Sequence, residues 1–141
     1  MKDVLVKVKT VQIDDRGESD TIELTAEGKF AEKDGSYLIK YSDAFISGDN
    51  ESIQTTVKVG SDGAVSVTRS GSYQSRFVIE KQKRCNCLYQ TPYGTMTMGF
   101  YGEKIENNLN KNGGELSLRY TVDVNGSELN RNQMTITIKE V

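Results

Sequence analysis

The sequence predicts an all-β domain, a closed antiparallel up-and-down barrel of about eight to ten strands, and three observations carry that reading. Apolar and polar residues alternate at period two along nearly the whole chain, with no sustained helical period. The alternating residues are largely β-branched or aromatic, the types that fit a pleated, half-buried surface. Turn signals rich in Gly, Asn and Asp separate the runs at roughly the 8–12-residue spacing of a sandwich or barrel. Because the runs follow one another as hairpins, closure into a barrel is preferred to a sandwich, since it removes the exposed sheet edges.

The 141 residues suit one domain, residues 1–141, with one core. A hydrophobic share of 35% and a mean hydropathy of −0.55 raise disorder as an alternative. Strict alternation and a net charge of only −2 argue against it. A sheet with one face in water accounts for the composition better.

The first strand covers residues 2–13, with Val4, Val6 and Val8 on one face. Val11 and Ile13 have the opposite parity, which predicts a bulge near Lys9 and Thr10. A turn at Asp14, Asp15, Arg16 and Gly17 leads to a strand bearing Ile22, Leu24 and Ala26, and Gly28 before Phe30 predicts a bend at a barrel corner. Asp34 and Gly35 form a two-residue hairpin signal, followed by Tyr37, Ile39 and Tyr41 on one face of a third strand.

Residues 42–52 read as a looser loop, with a short helical turn or an edge segment in it. The next strand carries Ile53, Thr55, Val57 and Val59, and residues 60–63 turn it into one carrying Val65, Val67 and Arg69. A turn at Ser70, Gly71 and Ser72 precedes Phe77 and Ile79, and residues 81–83 connect to a strand with Cys85, Cys87 and Tyr89. Pro92 lies in a turn with Gly94 at its closing position. Met96, Met98 and Phe100 follow on a strand that continues toward Leu109. After a turn at residues 110–114, Leu116, Leu118, Tyr120, Val122 and Val124 make the clearest strand, and Asn125-Gly126 leads to the last, with Met134, Ile136 and Ile138.

The motifs Val67-x-Arg69-x-Gly71, Leu88-Tyr89-x-Thr91-Pro92-Tyr93-Gly94 and Leu116-x-Leu118-x-Tyr120 with Asn125-Gly126 resemble the YwiB-like family of small uncharacterised bacterial proteins. The resemblance spans essentially the whole chain and implies a calycin-like, that is lipocalin-like, barrel. It brings no established activity. The Gly-x-Trp signature of true lipocalins is absent, since the chain contains no Trp, so their secreted transport role is not implied.

The chain has no histidine, which removes Ser-His-Asp and Cys-His nucleophile pairs and His metal sites together. No Gly-rich phosphate loop occurs. Asp14 with Asp15, and Asp49 with Glu51, read as solvated loop charges. No catalytic residues, metal or cofactor are therefore expected, and the protein reads as a non-enzyme. The flanking cysteines Cys85 and Cys87 share a strand face at about 6.5–7 Å by the strand rise, beyond disulfide reach. Reduced thiols and an alternating N-terminal segment with no continuous apolar core point to the cytoplasm. No stretch is apolar and long enough for a membrane helix.

Arg69 shares parity with Val65 and Val67, so its guanidinium points inward or lies at a barrel rim. There it either binds an anion, with Tyr37 and Tyr41 assisting, or closes the barrel end by bonding strand carbonyls. Met96 and Met98 line an adaptable cavity or pack as core. The expected ligand site is Tyr37, Tyr41, Arg69, Met96 and Met98. The leading reading is a binding module for a small, partly apolar ligand with an anionic group. The first alternative is a filled barrel acting as a protein-interaction module through its outer surface. Single-stranded nucleic-acid binding at Lys81, Lys83 and Arg84, beside Tyr89 and Tyr93, ranks last, because neither half of the chain has the basic excess it requires.

Overall fold

The computed structural model describes residues 1–43, 53–70, 75–91 and 94–141. They form ten strands: β1 (Lys2–Asp14), β2 (Ser19–Lys33), β3 (Ser36–Asp43), β4 (Ile53–Val59), β5 (Val65–Ser70), β6 (Ser75–Ile79), β7 (Arg84–Thr91), β8 (Gly94–Asn110), β9 (Gly113–Val124) and β10 (Ser127–Glu140). There is no helix among the described residues. All ten strands belong to one sheet in the order β6-β5-β4-β3-β2-β1-β10-β9-β8-β7, and every ladder is antiparallel. Chain neighbours are sheet neighbours at every step except β6 to β7.

The first and last strands pair along nearly their full length, from Val4 opposite Glu140 to Asp14 opposite Asn130. The result is a nearly closed up-and-down barrel whose seam lies in mid-chain, between β6 and β7. At the seam the strands meet near their shared turn, through Glu80 opposite Lys83 and Lys81 opposite Gly102. The Gln82 amide donates to the Gly102 carbonyl at 2.7 Å, and the Phe77 ring stacks on Phe100 at 4.5 Å.

Because the strands alternate in direction, their final residues alternate between the two ends of the barrel. The last residues of β1, β3, β5, β7 and β9 lie at one end, the mouth, and those of β2, β4, β6 and β8 at the other, the base. The tight hairpins follow the expected chemistry: Asp34 and Gly35, with φ of 54° and 82°, and Asn125 and Gly126, with 52° and 90°, are both left-handed pairs, the geometry of a type I′ turn.

Inward parity fills the base. Val4, Val6, Phe30, Ile39, Val59, Val65, Ile79, Leu116 and Ile136 are all essentially inaccessible. Alternation puts nearly all the charged residues outside, Arg69 excepted, which is why so modest an apolar share suffices for one dry core.

The bulge expected near Lys9 and Thr10 is not there. β1 keeps one continuous register with both neighbours, and Val11 and Ile13 lie on the outer face, with Ile13 41% exposed. Thr10 and Gln12 hold the inner parity instead. The apolar parity changes because the barrel lining turns polar toward the mouth, not because a residue is inserted. The register shifts that do occur lie in β8 between Gly102 and Lys104 and in β10 between Glu128 and Asn130. Of the loop expected at residues 42–52, Ser42 and Asp43 end β3 and the remainder lies outside the described residues, as do Gly71, Ser72, Pro92 and Tyr93 of the expected turns.

Gly28 sits between Val4 on β1 and Tyr41 on β3. A Cβ there would run into the Lys40 carbonyl oxygen and press on Val6 Cγ2, so the close approach of these strands depends on glycine. Gly28→Ala is expected to destabilise the protein by about 1–3 kcal/mol, the usual cost of overpacking. Urea unfolding checks this, and an unchanged midpoint would contradict it.

Candidate functional site

The mouth carries the polar lining. Tyr41 lies opposite Thr55, Thr55 opposite Arg69, and Arg69 opposite Ser75, so four adjacent strands present one transverse row on the inner parity. At the usual strand spacing the row is about 14 Å long. Thr55 is 1% exposed and Tyr41 is buried. Arg69, next to the mouth end of β5, is half-buried. Its Nε is buried and has no hydrogen-bond partner among the described residues. A buried donor without an acceptor is costly, and Nε is the one such side-chain nitrogen or oxygen among the described residues.

A second polar sector follows round the wall. Asn132 is 5% exposed, lies opposite Gln12 on β1 and Tyr120 on β9, and donates through Nδ2 to Asn130 Oδ1 at 2.7 Å. One inward step toward the base, the aromatic rings close the floor: Phe77 and Phe100 stack, with Tyr120 tilted against them at 6.0 and 6.2 Å. Met98, opposite Cys87, and Met96, opposite Tyr89, occupy the β8 wall mouthward of Phe100. Both are half-buried, and Met98 packs against the core.

Four of the five expected site residues therefore lie toward one end: Tyr41, Arg69, Met96 and Met98. Tyr37 does not join them. It starts β3 at the base, about 13 Å from Tyr41 by the strand rise, stacks on Phe30 and donates its hydroxyl to the Leu109 carbonyl at 2.9 Å. Tyr37 closes the bottom of the barrel. Thr55, Ser75 and Asn132 are inner polar residues that a search for apolar alternation passes over. Their parity with Val57, Phe77 and Met134 is the signal that marks them.

Both thiols are free. Burial pushes the Cys85 thiol up, with the Glu80 carboxylate adding to this, while a backbone hydrogen bond from Glu80 and the Lys83 charge oppose it. Cys87 is raised by burial first and by Cys85 second. Raised thiols are poor nucleophiles.

On the outer face, Arg84 reaches from β7 across Gly99 of β8 to Asp123 of β9. Its Nε donates to Oδ2 at 2.8 Å and its Nη2 to Oδ1 at 2.5 Å. A Cβ at Gly99 would meet this guanidinium, so glycine clears the path. The fork is two-toothed, and it fastens the edge strand β7 to the second strand inward.

Fold and mouth together define a small nearly closed β-barrel with an apolar base and a polar inner rim. The chain belongs to the family described as a domain of unknown function (DUF1934), whose model matches residues 6–136. Its fold is similar to that of the YwiB protein from Bacillus subtilis, known from a crystal structure, at 24% identity and a TM-score of 0.81, over 99% of this chain and 92% of that one. A search of curated proteins gave no match.

The Arg84 hydrogen bonds hold the Asp123 carboxyl below its ordinary value; burial opposes them, and the Gly126 amide and the Arg84 charge assist. A depressed carboxyl adds stability above its unfolded pKa of about 3.9, and that stability is lost as pH falls through the lower folded value. Wild type is therefore expected to lose more stability than Asp123→Asn between about pH 5 and pH 2. Urea midpoints across that range test it, and parallel curves would count against it. Tyr37→Phe is expected to cost about 0.5–1.5 kcal/mol, the worth of one hydrogen bond, in the same assay at neutral pH.

Proposed function

We propose that this protein is a non-enzymatic binding module, working in the cytoplasm, whose barrel mouth holds a small, partly apolar molecule bearing an anionic group. The observation that carries the reading is the buried, unpartnered Nε of Arg69. A guanidinium forks naturally onto a carboxylate or phosphate, and such an anion would satisfy the donor that the protein leaves open. Thr55 and Ser75, its direct neighbours in the row, offer hydroxyls beside the same anion. Met96, Met98 and the aromatic floor offer the apolar side. The filled base limits the ligand to the upper barrel and so to a short molecule.

This reading treats the barrel as calycin-like, a cup that opens at one end. The two free thiols suit a reducing compartment. Nucleic-acid binding at Lys81, Lys83 and Arg84 is less favoured, because Lys83 is matched by Glu80 and Arg84 by Asp123.

Thermal melts of wild type and Arg69→Met, with and without short fatty acids and aromatic carboxylates, test the proposal. The expected result is a ligand-dependent rise for wild type and none for the variant, with the unliganded variant as stable as wild type or more so. If wild type shows no rise and the variant melts much lower, Arg69 is a structural residue and the binding reading falls.

A further inference from the structure

We propose that the seam between β6 and β7 is a docking site for an extended acidic polypeptide segment, which adds to the free edge of β7 as a further strand. This is a second function, on the seam, and it shares the stacked Phe77 and Phe100 with the mouth site. β6 and β7 are the terminal strands of the sheet. Beyond the bridges at their shared turn, neither outer edge is paired with another strand among the described residues. Open rows of backbone N–H and C=O groups are templates for strand addition.

The two strands splay from that turn into a cleft of about 380 Å³, with Phe77 and Phe100 at its floor and Cys85 and Cys87 on the β7 wall. The usual protections of a sheet edge are charges on the edge strand, prolines and bulges. β7 has a single charge, Arg84, which is tied to Asp123, and it shows Leu88 to solvent, 72% exposed. Alternate side chains of an added strand point in opposite directions, so one set enters the apolar, thiol-lined cleft and the other stays outside.

Charge selects the partner. Of the cations around the cleft and its turn, Lys83 and Arg84 are matched by Glu80 and Asp123. Arg76 and Lys81 are exposed and form no ion pair among the described residues. The surplus is positive, so the outward side chains of the partner are acidic. A second copy meeting edge to edge would set like cations against each other. An apolar floor below open backbone suits a polypeptide better than a nucleic acid, which requires exposed stacking rings.

The test uses the whole protein and a fluorescent, capped peptide of alternating valine and glutamate about the length of β7. Two control peptides replace glutamate by lysine or carry N-methyl groups on alternate amides. Anisotropy is expected to show salt-sensitive binding of the acidic peptide, with each control weaker by about tenfold or more. Arg76→Glu with Lys81→Glu should weaken binding by a similar factor without changing the melting temperature, and Arg69→Met should leave it intact. Three outcomes overturn the proposal: no peptide binds, or all three bind alike; the protein retains RNA but no peptide; or it forms a dimer that Leu88→Glu dissolves, which would make a second copy the occupant.

Discussion

The ladder between β1 and β10 is the constraint on which the rest of the barrel depends. A meander of ten strands has two free ends, and in this protein those ends are joined to each other. Val4, Val6 and Val8 on one side and Met134, Ile136 and Ile138 on the other thereby become the middle of the sheet, and they are buried. Closure of the two termini moves the break in the sheet to β6 and β7. That displacement decides which strand edges are left unpaired among the described residues.

Within that frame the lining changes character along the axis. Toward the base, side chains without polar atoms interlock, and the one hydroxyl described there, that of Tyr37, is spent on the Leu109 carbonyl. Toward the mouth, Thr55, Arg69 and Asn132 replace aliphatic residues at the same inner parity. Asn132 and Asn130 satisfy each other in part, whereas Arg69 leaves a donor open. Buried polar groups are ordinarily satisfied within the protein, and the Arg69 Nε is the exception among the described residues.

Much of this was legible in the residues. Alternation located the strands, and Asp34-Gly35 and Asn125-Gly126 located hairpins, because period-two burial and left-handed turns are local properties. Depth along the barrel axis is not local. Tyr37 and Tyr41 have the same parity and type, and only the pairing of β3 with β4 separates the base from the mouth. The parity change at Val11 looked like an inserted residue because alternation reports which face is apolar, and near the mouth the apolar face of β1 is the outer one. The mid-chain seam was illegible for the same reason: it follows from pairing residues at opposite ends of the chain.

That pairing also has a consequence in time. Lys2 and Glu140, held at 2.8 Å, are neighbours in space and nearly the whole chain apart in sequence. Loop closure over such separations is what slows the folding of β proteins. During synthesis β1 can meet β2 almost at once, while its other edge stays bare until β10, made after every other strand, arrives. Until β10 is made, the edge of β1 that carries this ladder has no partner, and its backbone groups stay open to other chains.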